Sequence, residues 1–220
     1  MNKDSLGDRI KGYEHVSNHR LPSRIPVIIR IDGKAFHTFT RNMYKPFDGK
    51  LIESMVRAGE RTAKNMMGFV LGYHQSDEFT FYINNIQSLD SQSWFNNELL
   101  KLTSITASMF TSYFNSEMGG TEAIFDCRAF SVPLDDVPNV FIWRQQDWER
   151  NSVQMLARHH FSHKQCDRKN KSDLHEMLHS IGVNWNDLDL VLKNGTFITK
   201  EGNRNYNKMN YSDILNIISK

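Results

Sequence analysis

The chain has 220 residues, of which 39% are hydrophobic and 24% are charged. This length and composition are enough to bury a hydrophobic core, and they fit one domain or a compact domain with an appendage. The formal net charge of +2 does not indicate a globally basic nucleic-acid binder, so any basic surface must be local.

The cysteines and the apolar segments indicate the cellular context. Cys127 and Cys166 lie in unrelated segments, which does not indicate a disulfide framework. The first ten residues lack the apolar core of a signal peptide, and no apolar run approaches the about 18 residues that span a bilayer. We therefore expect a soluble, globular protein of the cytoplasm.

The first part of the chain alternates between strand and helix patterns. Residues 27–31 form a short β-branched run, which predicts a strand buried on both faces. Asp48 is a candidate helix cap, and apolar residues recur after it at helical spacing as far as Gly68. Residues 69–73 and 79–83 are aromatic, β-rich runs joined by a polar bend, which predicts a hairpin.

A second long helix is predicted after the hairpin. Its apolar stripe runs from Phe95 to Tyr113, and the helix ends at Gly119 and Gly120. Residues 123–132 then return as a strand. The order β-α-β-β-α-β predicts an α+β, ferredoxin-like fold, in which an antiparallel sheet carries its helices on one face and leaves the other face for a ligand.

Acidic residues stand at the ends of the predicted strands. Asp32 follows the first strand, and Asp77 and Glu78 lie in the bend of the hairpin. Acids at the ends of neighbouring buried strands repel one another unless a cation lies between them. Magnesium held by one or two carboxylates keeps positions free for phosphate oxygens and water, as nucleotidyl transfer requires. Taken singly, either acidic position also fits a turn former or a helix cap.

Two further features indicate a nucleotide phosphate. Gly33 has no side chain, so the backbone amides from Gly33 to His37 can approach a triphosphate closely, although the chain has no P-loop or GxGxxG match. Lys45 and Lys101 are lone cations in their segments and can contact phosphates. Each lysine fits equally well as a solvated surface charge.

A basic, histidine-rich segment lies in the last third of the chain. Its members are Arg158, His159, His160, His163, Lys164, Arg168, Lys169 and Lys171. Phe161 interrupts them, and this composition predicts RNA contacts with an aromatic ring available for stacking, the alternative being a solvated loop. The spacing of His159, His163 and Cys166 also leaves a zinc site open, although no fourth ligand is evident.

Blocks of sequence in order along the chain resemble the motifs of the tRNA-histidine guanylyltransferase superfamily. They are residues 30–37, 45–48, 72–78, 125–128, 143–147, 182–188 and 193–196. The resemblance covers nearly the whole chain. It implies 3′-to-5′ addition of nucleotides to the 5′ end of a tRNA, by a polymerase-type palm in residues 1–135 and a helical, RNA-contacting region in residues 136–220 that packs on the palm.

The resemblance also implies roles for individual residues. Two magnesium ions would be held by Asp32, the Gly33 carbonyl and Asp77, with Glu78 assisting. The triphosphate would be bound by Asp32, Gly33, Lys34, Ala35, Phe36, His37, Ser76, Asp77 and Lys101. Activation of the 5′-monophosphate by ATP would be supported by Lys45, Ser76 and Asn151. The 3′-hydroxyl of GTP or another NTP would then attack the adenylylated end.

One departure from the superfamily bears on the substrate. Eukaryotic members carry a His-Ile-Asn-Asn-Leu-Tyr-type stretch after the Trp-Arg-Gln block, whereas residues 148–153 read Trp-Glu-Arg-Asn-Ser-Val and keep only the first asparagine. This favours the bacterial, archaeal and phage-type members, which are implicated in template-directed repair of 5′-truncated tRNAs, over an enzyme that adds G at position −1 of tRNA-His. The resemblance also suggests a homotetramer.

Two other classes of protein stay open. A nucleotidyl cyclase could use the same palm, but the Gly-Gly-Asp-Glu-Phe-type signature is replaced here by Gln-Ser-Asp-Glu-Phe at residues 75–79. A non-catalytic RNA-binding protein is disfavoured because Asp32, Asp77, Glu78 and Lys45 are all retained.

Overall fold

The computed structural model describes residues 5–86, 90 and 92–219. Within this part of the chain the strands are β1 (Val27–Gly33), β2 (Phe69–Gln75), β3 (Glu78–Ile83), β4 (Phe125–Ser131), β5 (Thr196–Thr199) and β6 (Arg204–Asn205). The helices there are α1 (Ser5–His15), α2 (Phe36–Phe39), α3 (Gly49–Ala63), α4 (Leu99–Glu117), α5 (Val137–His160), α6 (His163–Cys166), α7 (Lys171–Ser180), α8 (Leu190–Asn194) and α9 (Tyr211–Ile218). None of these helices combines the length and the hydropathy needed to cross a membrane.

A local sequence signal explains where α3 begins, but the sequence pattern did not locate the start of α4. Asp48 caps α3, because its side chain accepts a hydrogen bond of 2.9 Å from the backbone amide of Leu51. The apolar stripe of α4 predicted a start near Phe95, but the helix begins at Leu99. Phe95 and Asn96 have positive φ angles of 48° and 52°, which a right-handed helix does not accommodate.

The strands form one antiparallel sheet in the order β4-β1-β3-β2-β5-β6. β1 lies between β3 and β4, and Asp32 near its end is opposite Glu78 on one side and Asp126 on the other. Directly opposite residues point to the same face, so these three carboxylates form a row across the sheet. The mixed α and β composition, the antiparallel sheet and the order β-α-β-β-α-β along the chain are as predicted.

One face of the sheet packs against α3 and α4. Fully buried side chains such as Ile29, Ile31 and Phe79 meet Met55 of α3 and Phe110 of α4 in the largest hydrophobic cluster. Burial of each such side chain stabilises the fold by about 1.5–3 kcal/mol relative to leaving it exposed. This cluster holds the strand ends that carry the acids in a fixed position.

The opposite face of the sheet is largely covered, so the expectation that it would be left for a ligand is wrong over most of its length. Ile28 and Tyr82 pack there against Phe141 of α5 and Ile214 of α9. Residues 136–220 were expected to pack on the palm, and the covering contacts come from α5 and α9 of that region. Asp32, at the far end of β1, lies outside this hydrophobic cluster.

The C-terminal region also departs from the expected helical character, because it contributes β5 and β6 to the sheet. β5 pairs with β2, with Leu71 opposite Thr199 and Gly72 opposite Ile198. Four residues are too few to display the alternation that identifies a strand in a sequence. The division into residues 1–135 and 136–220 stays a prediction. The two parts contribute strands to one sheet and side chains to one hydrophobic cluster.

Gly59 provides a test of the packing between α3 and the sheet. Glycine inside a helix ordinarily lowers stability by about 1 kcal/mol relative to alanine. Here a Cβ atom would lie 2.0 Å from Cε2 of the fully buried Phe79. We expect Gly59→Ala to lower the free energy of unfolding, measured with urea, by about 1–3 kcal/mol because of this overpacking.

The matched control is Gly12→Ala in α1, where a new Cβ atom meets nothing within 4 Å. This change is expected to leave the stability unchanged or to raise it by up to about 1 kcal/mol. If both substitutions raised the free energy of unfolding by the same amount, the close packing of α3 on β3 would be contradicted.

Candidate active site

An acidic edge forms where β1 ends beside the turn of the β2–β3 hairpin. The backbone amide of Gly33 donates a hydrogen bond of 3.1 Å to the carbonyl of Asp77, which fixes the turn next to the end of β1. Ser76 in this two-residue turn has a φ of 52°, the left-handed conformation that such hairpin turns require. The three acids predicted from the sequence, Asp32, Asp77 and Glu78, are thus brought to one edge.

The surroundings of these acids oppose their ionisation. Burial raises the pKa of Asp77, and the negative charge of Asp32 raises it further, against hydrogen bonds from its own backbone amide and from Ser76. Burial also raises the pKa of Glu78, against the positive charges of Arg144 and Arg30. A cation beside the acids would favour their ionised forms.

The acid pair Asp32 and Asp77 fits a hard cation such as Mg²⁺, which prefers oxygen ligands. Within residues 5–86, 90 and 92–219, no three or more His, Cys, Asp or Glu side chains cluster as a metal site. The cation would therefore need the two carboxylates, the backbone carbonyl predicted at Gly33, and oxygens from phosphate and water. Magnesium ordinarily binds in this manner, with few protein ligands.

The loop after β1 supplies backbone amides, but fewer than predicted. Gly33 donates to Asp77, and the amide of Lys34 donates to the carbonyl of Ile124 at 2.8 Å, so both are already bonded within the fold. No backbone carbonyl in the described part of the chain accepts from the next three amides, those of residues 35–37. These three are the amides that remain for an anionic oxygen.

Gly33 is required for packing as well. A Cβ atom at this position would lie 2.2 Å from the ring of Phe36, which is buried against the main cluster. Phe36 also packs on Phe125, with 5.2 Å between the ring centroids. The aromatic contacts hold the loop that carries the free amides close to the end of β1.

A pocket of about 280 Å³ opens beside the acidic edge. It is lined in part by the predicted site residues Phe36, His37, Lys45, Ser76 and Asp77. The other lining residues include His74, Trp148, Met155 and Val191. The pocket therefore joins an apolar wall to the phosphate-binding residues that the sequence predicted, a combination suited to a nucleotide.

The loop that carries Lys45 is held by Asp48. One carboxylate oxygen of Asp48 caps α3, and the other accepts a hydrogen bond of 3.1 Å from the backbone amide of Tyr44. Trp148 of α5 packs edge-on against Phe47, with 6.3 Å between the ring centroids. The loop is thus fixed at both of its sides, with Lys45 at the pocket.

His74 stabilises the turn of the β2–β3 hairpin through a hydrogen bond. Its Nε2 lies 3.0 Å from the carbonyl of Ser76, so this nitrogen carries the proton and donates it. Burial lowers the pKa of His74 to about 4, and the imidazole is therefore neutral at physiological pH. The left-handed turn at Ser76 is stabilised without a further charge beside the acids.

Arg144 is a charged residue of the site to which sequence reasoning gave no role. Its side chain is only 4% exposed, and it donates to Glu78 at 2.9 Å and to Asp147 at 2.6 Å. Gln75 donates to the same oxygen of Glu78 at 2.9 Å. The sequence did contain a signal for a role of Arg144, because this residue lies in the block of residues 143–147 that carries part of the family resemblance. Its partner Glu78 is 66 residues away and cannot be identified from the sequence alone.

Asn151 is linked to the acids through this network. Its amide donates to Asp147 at 3.4 Å, and Asp147 in turn is bound by Arg144. Arg150 also contacts Asp147. The predicted role of Asn151 in activating the RNA end stays a prediction, and its position on α5 places it one helical turn from Trp148 at the pocket.

The fold of the chain does not bring Lys101 to the acids. β3 begins with Glu78 at the acidic edge. Just beyond the other end of β3, Asn85 donates to Asn97, two residues before α4 begins. Lys101 lies in the first turn of α4, paired with Glu98 at 3.0 Å. The length of β3 alone separates these places by about 17 Å.

The basic segment after residue 157 is exposed, but two expectations about it need correction. Phe161 packs against a further hydrophobic cluster, formed by α5 and α7 with Leu156 and Leu174 among its members, so its ring is not free for stacking. His159 lies in the last turn of α5, whereas His163 begins α6 after the cap at Ser162, so the two histidines do not share a helical face. The described residues hold no group of three metal-binding side chains, which removes the basis for zinc.

The ion pairs of Arg144 predict a pH-dependent stability. Arg144→Met leaves the partly buried carboxylates of Glu78 and Asp147 without this arginine, and we expect the free energy of unfolding at neutral pH to fall by about 3 kcal/mol. Losing Arg144 raises the pKa of Glu78 further in the folded state. Glu78 then binds its proton more tightly in the folded state than in the unfolded state. The loss of stability caused by the substitution therefore becomes smaller as the pH falls towards 4.5, the ordinary pKa of a glutamate.

The measurement is urea unfolding of the wild type and the variant across this pH range. Arg150→Met is the matched control, because Arg150 contacts the same Asp147 but is 61% exposed. Its removal is expected to change stability little. Equal losses in the two variants would show that burial of Arg144 is not what makes its ion pairs important.

The acid pair predicts a pH-dependent affinity for divalent cations, which Mn²⁺ titration followed by electron paramagnetic resonance would measure. Because burial raises the pKa of Asp77, protons compete with the metal at pH values above the ordinary 3.8, and affinity falls as the pH is lowered into that range. Asp32→Asn and Asp77→Asn should each weaken binding at least about tenfold. Glu122→Gln, an exposed acid, should not. Unchanged affinity in both aspartate variants would exclude the acidic edge as the site.

Comparison with known proteins places this geometry in a family. Residues 7–133 match the family model described as Thg1, tRNAHis guanylyltransferase. The tRNA(His) guanylyltransferase of Schizosaccharomyces pombe is 29% identical to the chain over 216 residues, which are 87% of this chain and 79% of that protein.

Two solved structures are similar over nearly the full length. A bacterial tRNA(His) guanylyltransferase (Thg1)-like protein in complex with ATP is 42% identical, with a TM-score of 0.93 and 98% of each chain covered. A second such structure, in complex with GTP, is 39% identical, with a TM-score of 0.86 and 99% and 100% of the two chains covered. The family model spans more than half of the chain, and the chain therefore belongs to the tRNAHis guanylyltransferase family, whose members are nucleotidyltransferases.

Proposed function

We propose that this protein adds nucleotides in the 3′-to-5′ direction to the 5′ end of truncated tRNAs, with the opposite strand as template. The observation that carries the proposal is the position of Asp32 and Asp77 beside a pocket that holds Lys45 and Ser76. Acids suited to magnesium, free backbone amides and an apolar pocket are the parts that transfer from a nucleoside triphosphate requires.

We assign the sheet and its helices to a ferredoxin-like, polymerase-type palm. The β-α-β-β-α-β order and the antiparallel pairing of β1 with β3 and β4 support this assignment. In such a palm the acids of two neighbouring strand ends share the metals. The register that sets Asp32 opposite Glu78 is consistent with this arrangement.

The first step would activate the RNA end. The pocket would bind ATP, with the base against Trp148 and the phosphates near Lys45, Ser76 and the amides of residues 35–37. An oxygen of the RNA 5′-monophosphate would attack the α-phosphorus of ATP, so that a 5′-5′ anhydride forms and pyrophosphate leaves. Lys45 would neutralise negative charge on the phosphates, and Asn151 would support the same step.

The second step would extend the RNA. The 3′-hydroxyl of GTP or another NTP would attack the 5′-phosphorus of the RNA, forming the new phosphodiester and releasing AMP. Mg²⁺ held by Asp32, the Gly33 carbonyl and Asp77 would supply neutralisation of the charge that develops on the phosphate oxygens. Arg144 keeps Glu78 oriented beside these acids. The new end carries a 5′-triphosphate, which either stays or loses pyrophosphate in a later step.

Similarity and sequence both favour repair over a dedicated guanylyltransferase for tRNA-His. The chain is 42% and 39% identical to solved bacterial guanylyltransferase-like proteins. Residues 148–153 lack the stretch of the eukaryotic enzymes, of which only Asn151 is kept. Addition of a single G to tRNA-His is the second candidate, favoured by the description of the family model. We also propose, from the resemblance, a homotetramer in the cytoplasm.

The test is extension of a 5′-labelled, 5′-truncated tRNA with ATP, magnesium and each NTP in turn, on acceptor stems with altered template bases. We expect the added base to follow the opposing strand. Addition of G alone, chiefly to tRNA-His, would support the second candidate instead. Asp32→Ala and Asp77→Ala should abolish transfer while circular dichroism shows them folded, and Glu122→Gln should retain it. Substantial activity in either aspartate variant at saturating magnesium would remove the metal assignment.

A further inference from the structure

Trp143 is a large aromatic residue that the fold leaves uncovered beside the acidic edge. Its side chain is 52% exposed, whereas the other three tryptophans, Trp94, Trp148 and Trp185, are at most 8% exposed. Its neighbours on α5, Phe141 and Arg144, are buried. The exposed indole is available to a binding partner, and it is not part of a hydrophobic cluster of the fold.

The ring of Trp143 is held in place by cations. The guanidinium carbon of Arg144 lies 3.9 Å from the ring centroid, and that of Arg30 lies 5.8 Å away, both within the range of cation–π attraction. Arg144 itself is fixed by Glu78 and Asp147. The ring is therefore preorganised, and a ligand that stacks on its exposed side need not order it first.

Two independent links place Trp143 within a nucleotide's length of the acids. Arg30, which it contacts, is two residues before Asp32 on the same face of β1, a distance of about 7 Å. The next residue, Arg144, binds Glu78, which lies opposite Asp32. A nucleotide whose 5′-phosphate meets Asp32 and Asp77 has its base close to the indole.

The charges around the ring favour a polyanion as the partner. Arg30 and Arg128 lie directly opposite each other on β1 and β4, so two guanidinium groups are neighbours on the same face of the sheet. Arg128 is 58% exposed, and its contacts with Asp32 and Asp126 are long, at 3.9 Å each. An exposed aromatic ring beside clustered guanidinium groups is the arrangement that binds unpaired or terminal nucleic-acid bases.

We propose that Trp143 is a stacking platform for the terminal base at the 5′ end of the acceptor RNA. The inference rests on the proposed function, and it names the residue that orients the RNA end. The indole receives the base while the phosphate of the same nucleotide lies at the acids. The pocket lined by Trp148 is left for the nucleoside triphosphate that activates the end.

Binding of a 5′-truncated tRNA in the absence of nucleotides tests the platform without catalysis. Trp143→Ala should raise the Kd for this RNA about tenfold, within the range found for loss of one base–aromatic stack, and Trp143→Phe should restore most of the affinity. The KM for ATP should be unchanged in both variants. Tyr13→Ala removes an aromatic residue that is 69% exposed on α1, and it should leave RNA binding unchanged.

Fluorescence provides a second readout, because Trp143 is 52% exposed and the other three tryptophans are at most 8% exposed, so a neutral quencher acts mainly on Trp143. The truncated tRNA should protect the acrylamide-sensitive component, and Trp143→Phe should lack that component altogether. Unchanged quenching with bound RNA, or wild-type affinity of Trp143→Ala, would overturn the proposal. So would protection by ATP or GTP alone, or protection that grows with protein concentration without RNA, since a second copy would then cover the ring.

The outcomes also separate this inference from the proposed function. Wild-type protein that extends truncated tRNA but shows no protection of Trp143 would overturn the platform alone. Protection and weakened binding in Trp143→Ala, without any extension by the wild type, would leave the platform in place and overturn the proposed reaction.

Discussion

Burial of Glu78 at the edge of the sheet depends on Arg144. The guanidinium reaches from α5 to β3, and it also binds Asp147 on its own helix. A buried ion pair adds little net stability, but its geometric requirements are strict, since either partner alone would be a costly buried charge. The pair therefore fixes the position of α5 relative to the acids. Trp148 and Asn151, which lie four and seven residues after Arg144 on the same face, are placed by the same contact.

Much of the fold could be predicted because its signals are local. The β-branched run before Asp32, the capping aspartate at residue 48 and the polar bend between two aromatic runs each act within a few residues. The coverage of the second face and the addition of β5 could not be predicted in the same way. They depend on pairing between segments more than a hundred residues apart, for example Leu71 with Thr199.

The same distinction between local signals and long-range packing applies to the residues of the candidate site. Asp32, Ser76 and Asp77 could be placed together because each sits at a strand end or in a turn that the hydrophobic pattern locates. The partner of Glu78 could not, since nothing in the sequence near residue 78 specifies an arginine on a later helix. The position of Lys101 could not be predicted either. A cation on a helix is equally compatible with either end of the sheet until the packing of that helix is known.

The place of β5 in the sheet has a consequence for how the chain is made. β2 becomes an interior strand only when residues 196–199 pair with it, and the hydroxyl of Tyr73 finds its acceptor, the carbonyl of Asn194, 121 residues downstream. During synthesis the hairpin that carries the acids emerges long before that partner. The nascent protein thus passes through a stage with an unpaired strand edge, the kind of surface that invites association with other chains. The segment bearing the acids depends on the last quarter of the chain for its solubility as well as for its architecture.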